Sequence, residues 1–523
     1  VDTENLKQLS LPDLFARLTE VVVCSEMGDQ TTSSLELRDQ VDRICGGLQE
    51  WGIKRGDRIA VWLPNGVPYI VLLWAAARLG VVIVSVNTRF RRTEVEDIVG
   101  RSGARLLVVD PSFLGIDFSE ILSRVDVAKL GIEAVVSLGG TVEGHWSTVH
   151  WDDLLRASPS DANCATPDLP WIVFTTSGTT SAPKLVLHNQ RSPADHARDL
   201  QTWFGPAVLA AVPLCGVFGY TMLLGALGAG SQLVTMPVFE ASLAASAIER
   251  YGVTTFHGSD EMLLRIVESG HDLSSLNPVG YARFNNALEG VVDAASKVGV
   301  QAVGLYGMSE VHAVYAHRVT ELVDRSPVPG GKLVSNRAEA RVVDPATGND
   351  VPVGTEGELL LKGPSMFAGY LADGGEDVDR ALTDAHFVDG WFRTGDLARL
   401  EGGQTFEYLA RLGDVLRLGG FLVNPAEIED CILQDLSVEA VQVVGIDLPG
   451  GAKPVAFVVS QESINEEELR TRCRGALAAY KVPLRILQLD EFPTTPSANG
   501  SKIQKVRLRE LALEKINERQ PDS

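Results

Sequence analysis

At 523 residues the chain is too long for one ordinary hydrophobic core, so two or more domains are expected. It is 45% hydrophobic and 22% charged, with 50 glycines, which fits a globular α/β protein. A net charge of −22 repels nucleic acid and anionic membranes, so an anionic ligand would need locally placed Lys or Arg.

The first periodic segment places Val41, Ile44, Cys45, Leu48 and Trp51 on one helical face. The runs KRGDRIAVWLP, YIVLLWAAARLG, GVVIVSVN and ARLLVVD come next, alternating strand-like and helical patterns. Such alternation implies parallel sheets covered by helices. The most apolar stretch, Tyr69 to Ala77, is far too short to span a bilayer. Residues 141–170 are polar and rich in Pro, Ser and Asp, and read as a connection. The six cysteines are scattered, with no C-x-x-C pair and no Cys/His cluster at metal spacing, so reduced thiols in a cytoplasmic protein are expected.

The connection leads into Trp171-Ile-Val-Phe174, a short apolar run expected to be a buried strand. Next comes TTSGTTSAPK, residues 175–184, six of whose ten residues carry a hydroxyl. A turn of backbone N–H groups with added hydroxyl donors and one lysine suits phosphate, whereas composition alone equally allows a Ser/Thr linker. A Walker A loop is excluded, because Gly178 has no second Gly and Lys184 is followed by Leu185. The alternation continues to about residue 400, after which AVQVVGID and KPVAFVVS read as short strands. Residues 465–481 read as a helix capped by Asn465 with Glu468 three residues on, its apolar face formed by Leu469, Cys473, Ala476, Leu477 and Tyr480.

Four further segments accompany the loop: LYGMSE at 305–310, DGWFRTGDL at 389–397, RLGDVLRLGGFLVNPAEIE at 411–429 and TTPSANGSKIQK at 494–505. Each is weak alone. In this order and spacing the chain resembles the ANL superfamily of acyl-CoA synthetases, adenylation domains and luciferases, over nearly its whole length and most closely in the acyl-CoA synthetase branch. The resemblance implies a large multi-sheet N-terminal α/β domain, residues 1–412, followed by a small mobile α+β C-terminal domain, residues 413–523. It implies ATP, Mg2+ and CoA as ligands, a small-molecule carboxylic acid as substrate, and no nucleic-acid partner or membrane insertion; a homodimer is left open.

The resemblance carries roles residue by residue. Thr176, Ser177, Gly178, Thr179, Thr180 and Lys184 correspond to the loop that cradles the β- and γ-phosphates, with Thr179 also toward the metal. Ser181 and Leu185 stand where the family usually has Gly. Tyr306 would stack on adenine beside Gly307, Ser309 would face the α-phosphate and Glu310 would ligate Mg2+. Asp396 would accept from the ribose hydroxyls, with Arg411 assisting. Lys502 corresponds to the catalytic lysine, although Ser501 lengthens the usual Gly-Lys spacing and Lys505 competes for the role. Asp414 corresponds to the hinge, and Gly419 and Gly420 to the loop along the thiol's approach. Lys481 would contact either CoA phosphates or the domain interface. Gly216, Phe218, Gly304 and Met308 would border the acid, with His257 a candidate to replace the ring missing at Gly216. FNNALEG at 284–290 departs from the family's adenine-contacting turn.

The activity implied is an AMP-forming acid–thiol ligase for a hydrophobic, bulky acid. The alternatives are an enzyme that loads a carrier-protein pantetheine and a non-catalytic AMP/ATP-binding regulator.

Overall fold

The computed structural model describes residues 9–113, 116–142, 144, 146–176, 183–283, 290–318, 329–375, 377–413, 415–418, 421–448, 451–477, 479–497 and 500–517. The fold is α/β, with a large multi-sheet N-terminal domain and a small C-terminal one. By contacts the chain separates into two compact units, the first comprising residues 1–283, 290–340 and 361–392, the second residues 284–289, 341–360 and 393–523.

Two sheets build the first unit. One has the strand order Gly369–Tyr370, Leu185–Asn189, Pro170–Thr175, Val82–Ser85, Arg58–Trp62, Leu106–Val109, Ala134–Ser137 and Ser147–His150. From Pro170–Thr175 to Ser147–His150 neighbouring strands pair in parallel, and those at 82–85 and 106–109 are buried at every position. That burial on both faces is what their unbroken Val, Ile and Leu runs require. The other sheet places the strand Ala302–Met308 between Val279–Ala282, parallel to it, and His312–His317, antiparallel. Helix Ser34–Glu50 starts at a capping box of Ser33 and Glu36 and buries Leu37, Val41, Ile44, Cys45 and Leu48. Helix Val67–Leu79 is apolar on every face except at Arg78 and buried from Tyr69 to Leu79, in the core shared by strands of both sheets. It stops at Gly80, whose φ of +67° gives the left-handed cap. Among the described residues no helix is long and apolar enough to cross a membrane.

In the second unit, strands Ala440–Leu448 and Gly451–Val459 pair antiparallel, and Arg485–Leu489 joins the latter in parallel. Asn465 caps the helix between them by accepting from the Glu468 amide. The helix ends at Ala476, short of the expected Lys481: Leu477 is extended at φ −119°, ψ 155°, and Ala479–Lys481 form a separate 3-10 turn. Gly475 weakens the last turn of the helix, and Pro483 disfavours helical backbone at Val482. Leu477 and Tyr480 still pack on the same core as Leu469 and Cys473, so the apolar face survives the break.

Candidate active site

The hydroxyl-rich loop is clamped at its base. The strands before and after it pair antiparallel to Thr175 and Leu185. Beyond that pair, the Thr176 amide donates to the Lys184 carbonyl at 3.0 Å, and the Lys184 amide donates to Thr176 Oγ1 at 3.1 Å. Arg101 holds the next carbonyl, that of Pro183, at 2.6 Å. Ser177, Gly178, Thr179, Thr180 and Ser181 lie outside the described residues.

Lys184 meets two side chains that the sequence did not single out. Its ammonium lies 4.8 Å from the centre of the Tyr370 ring and 2.7 Å from His386 Nε2. His386 Nδ1 is 2.8 Å from the Leu382 carbonyl, which can only accept. The proton of a neutral His386 therefore sits on Nδ1, leaving Nε2 to accept from Lys184. His386 precedes a tight hairpin in which Val388 pairs with Trp391. Its two-residue turn is Asp389-Gly390, at φ +50° and +79°, the chemistry a type I′ turn demands.

Tyr370 also donates from its hydroxyl to Glu310 Oε1 at 2.9 Å, so one ring joins the loop lysine to the candidate metal ligand. Glu310 is only 6% exposed, and its carbonyl accepts from the Phe367 amide at 2.8 Å. Its turn depends on Gly307, where a Cβ would lie 2.1 Å from the Ala313 carbonyl oxygen. No other residue permits that approach. Tyr306 is buried beside it, while Met308 and Ser309 are half-buried. The Ser309 carbonyl lies 2.7 Å from His188 Nε2. Behind the turn His188, His196 and His312 stack in one layer, and burial pushes His188 down to about 4 and His196 to about 3.

Among the described residues no group of three or more His, Cys, Asp or Glu could hold a metal ion. A lone carboxylate fits Mg2+, which keeps its waters and shares itself with substrate phosphates, and fits Zn2+ poorly.

In the second unit Asp396 faces Arg411 across an antiparallel pair. Arg411 Nη1 donates to Asp396 Oδ1 at 2.8 Å and to the Thr394 carbonyl at 2.7 Å. Thr394 Oγ1 accepts from the Asp396 amide at 3.0 Å and donates to the Leu359 carbonyl at 2.7 Å. The Asp396 side chain is 5% exposed and that of Arg411 50%, so the pair contributes only about 0–1 kcal/mol. Its effect is to orient the carboxylate. Asp414, Gly419 and Gly420 lie outside the described residues; Leu418 and Phe421, on either side of the two glycines, pair with each other. Lys481 is ion-paired with Glu427, which raises its pKa. The Gly/Ser composition around Lys502 suggests a loop. Its backbone instead lies in the strand Gly500–Ile503, opposite Thr495 of Thr494–Ser497.

The candidate acid-binding residues divide. Gly216 is the N-cap of helix Val217–Ala229, and among the described residues a Cβ there would touch only the Pro213 carbonyl oxygen, at 3.5 Å. Gly219 has no such room, since a Cβ there would lie 2.2 Å from the same oxygen. Phe218 is buried in the core, and Gly304 is buried in strand Ala302–Met308 with its carbonyl accepting from the Arg318 amide. His257 is buried with its ring 5.2 Å from that of Phe204, and Nδ1 accepts from the Gly280 amide at 2.9 Å.

The sequence profile of AMP-binding enzymes matches residues 16–371, and that of the AMP-binding enzyme C-terminal domain matches residues 427–499. The chain belongs to the AMP-binding enzyme family. It is 28% identical to 4-coumarate–CoA ligase 2 of Oryza sativa subsp. japonica over 528 residues, covering 95% of this chain and 91% of that protein. It is 31% identical to triostin synthetase I of Streptomyces triostinicus over 512 residues, covering 94% and 91%. The crystal structure of ATP-bound MatB from Rhodopseudomonas palustris superimposes with a TM-score of 0.81 at 26% identity, covering 96% of this chain and 99% of that one. The chain is thus an adenylate-forming enzyme of the AMP-forming acyl-CoA ligase family.

Of this site, the sequence passed over Tyr370, His386, His188, Ser192 and His312. The one available signal was His188 and Ser192 standing four residues apart where a strand hands over to a helix.

Proposed function

We propose that the protein is an ATP-dependent acid–CoA ligase acting on a hydrophobic, bulky carboxylic acid. Supporting this is one arrangement: Lys184, Tyr370 and Glu310 form a continuous contact chain between the base of the hydroxyl-rich loop and the Gly307 turn. That chain sets a cation and a carboxylate where a phosphate and its metal would be shared.

In the first half-reaction a carboxylate oxygen of the acid attacks the α-phosphorus of ATP, and the bond to the β-phosphate oxygen breaks to release pyrophosphate. Thr176, Lys184 and the intervening loop hold the β- and γ-phosphates, Ser309 faces the α-phosphate, and Asp396, oriented by Arg411, accepts from the ribose. Mg2+ held by Glu310 would offset charge on the phosphates. Lys502 would stabilise charge developing at the α-phosphoryl oxygens. In the second, a thiol sulfur attacks the acyl carbonyl carbon, loses its proton, and AMP departs. We assign the first function to residues 1–412 and a movable role to residues 413–523, with Asp414 as hinge. Gly419, Gly420 and Lys481 would lie along the thiol's approach, where Lys481 would exchange Glu427 for a CoA phosphate.

A second reading has a specific motive: one relative is named a triostin synthetase and another a CoA ligase, so likeness does not choose the acceptor. Pyrophosphate release screened over diverse carboxylic acids tests the first step. Parallel assays with free CoA and with a pantetheinylated carrier protein separate the acceptors. No pyrophosphate with any acid would overturn the ligase reading in favour of a non-catalytic nucleotide-binding protein.

Two variants divide the site. Glu310→Gln keeps shape and the Tyr370 contact but removes the charge, so the Mg2+ concentration for half-maximal pyrophosphate release should rise about tenfold. An unchanged Mg2+ titration removes Glu310 as a ligand. Asp414→Pro fixes φ near −65° and should leave pyrophosphate release within about twofold while thioester formation falls at least about a hundredfold. Equal loss of both half-reactions would place the hinge elsewhere.

A further inference from the structure

The buried histidine layer behind the Gly307 turn is not part of the mechanism above, yet its hydrogen bonds end on that mechanism's backbone. His188 and His312 are fully buried, and Ser192 is 1% exposed. The Ser309 carbonyl only accepts, so the proton of a neutral His188 lies on Nε2, 2.7 Å away, and Nδ1 is an acceptor. Ser192 Oγ lies 2.9 Å from that Nδ1, 3.0 Å from the Ser365 carbonyl and 3.0 Å from His312 Nε2. A hydroxyl has one proton, which it directs to His188 or to Ser365. The His312 contact is then satisfied by donation from Nε2–H to the serine oxygen. His312 Nδ1, which has no partner among the described residues, is left as a bare lone pair rather than an orphaned N–H.

The backbone points the same way. His312 sits at φ +66°, a left-handed conformation that costs a non-glycine residue energy and persists only where its surroundings impose it. The imposing contacts are the His188 ring, stacked at 4.1 Å, and the His196 ring, at 5.1 Å. His312 opens the strand that returns from the turn, two residues after Glu310. Three bonds thus hold Ser309 and Glu310: His188 to the Ser309 carbonyl, the Phe367 amide to the Glu310 carbonyl, and Tyr370 to the Glu310 carboxylate. Packing alone would be met by leucine at 188, but leucine would leave the Ser309 carbonyl without its donor.

We propose that His188 is a positioning residue for nucleotide and metal binding: through Ser192 and the left-handed His312 it fixes the peptide that carries Ser309 and Glu310. This rests on the reading that those two side chains face Mg·ATP. No identified acid is needed to test it. The full-length protein is titrated calorimetrically with α,β-methylene-ATP at a series of Mg2+ concentrations, and thermal unfolding is recorded for each variant. His188→Leu should weaken binding and raise the half-saturating Mg2+ concentration about tenfold. His188→Gln, whose amide N–H can reach the same carbonyl, should return both to within about 1.5-fold of the parent. A purely structural role would lower Tm in His188→Leu and leave the Mg2+ dependence alone. His312→Gly, which adopts φ +66° without strain, keeps the test open should His188→Leu fail to fold, and should weaken binding about threefold. Parent-like Mg2+ and nucleotide binding in these variants, with Glu310→Gln impaired, overturns the proposal and spares the site. Parent-like binding in Glu310→Gln as well overturns the site reading itself.

Discussion

Lys502→Ala is expected to lower pyrophosphate release at least about a hundredfold, while thioester formation from supplied acyl-adenylate stays within about threefold. The asymmetry comes from where charge develops. As the carboxylate attacks the α-phosphorus, negative charge grows on the phosphoryl oxygens, and a positioned cation in a water-poor site stabilises that state more than the ground state. The second half-reaction expels AMP from an already activated acyl group and makes no comparable demand. The spacing Gly500-Ser501-Lys502 is one residue longer than the family's usual Gly-Lys, which makes the residue's register the question. Its backbone sits in a paired strand opposite Thr495, so an inserted residue shifts the pairing register of the residues that follow it. Lys505 opens the next helix, Lys505–Asn517, and is the competing cation. Normal pyrophosphate release by Lys502→Ala, together with its loss in Lys505→Ala, would move the assignment to Lys505.

Sequence and structure agree where the chain decides structure locally. Trp171 to Phe174 is a buried strand, extended by one residue at each end, because a four-residue apolar run between polar segments has little else to become. Asn465 caps its helix as its side chain dictates. The helix end differs from expectation because the apolar spacing continues through Tyr480 while the backbone does not. A broken segment can present the same face to the core by two routes, and periodicity alone does not tell them apart. The partners of the site are hidden for a different reason. Tyr370 reaches Glu310 from sixty positions along the chain, and His386 reaches Lys184 from over two hundred. Both contacts arise from strand Gly369–Tyr370 closing on Leu185–Asn189, a pairing that no motif in FAGY announces. A histidine within an apolar strand reads as core, and only its two polar contacts, the Ser309 carbonyl and the Ser192 hydroxyl, give the His188 ring a direction.

The acid itself should be bulky. Side by side, kcat/KM is expected to favour bulky alicyclic, polycyclic or branched acids over acetate by about three orders of magnitude or more. Many relatives in the resembled family carry a ring where this chain has Gly216, between Cys215 and Val217. A Cβ at Gly216 would touch only the Pro213 carbonyl oxygen, at 3.5 Å, among the described residues, so no neighbour closes on that point. His257, the side chain best able to restore a ring, is turned to Phe204 and to the Gly280 amide. Each CH2 of substrate buried in such a space contributes about 0.8 kcal/mol, so about five or six of them supply the expected ratio. Losing one polar contact costs about 0.5–1.5 kcal/mol, which is smaller than that sum. The same geometry makes Gly216→His a clean test, because the new side chain begins in ordinary van der Waals contact and the backbone, at φ −99°, needs no glycine. Turnover of the bulky acid should fall about a hundredfold as the ring overfills the space, while small acids change by less than about threefold. Gly219→His would not serve, since a Cβ there would lie 2.2 Å from the Pro213 carbonyl oxygen and the variant would disturb the helix start instead. Acetate or benzoate emerging as the best substrate of the panel, or Gly216→His depressing all acids alike, would show that Gly216 does not border the acid.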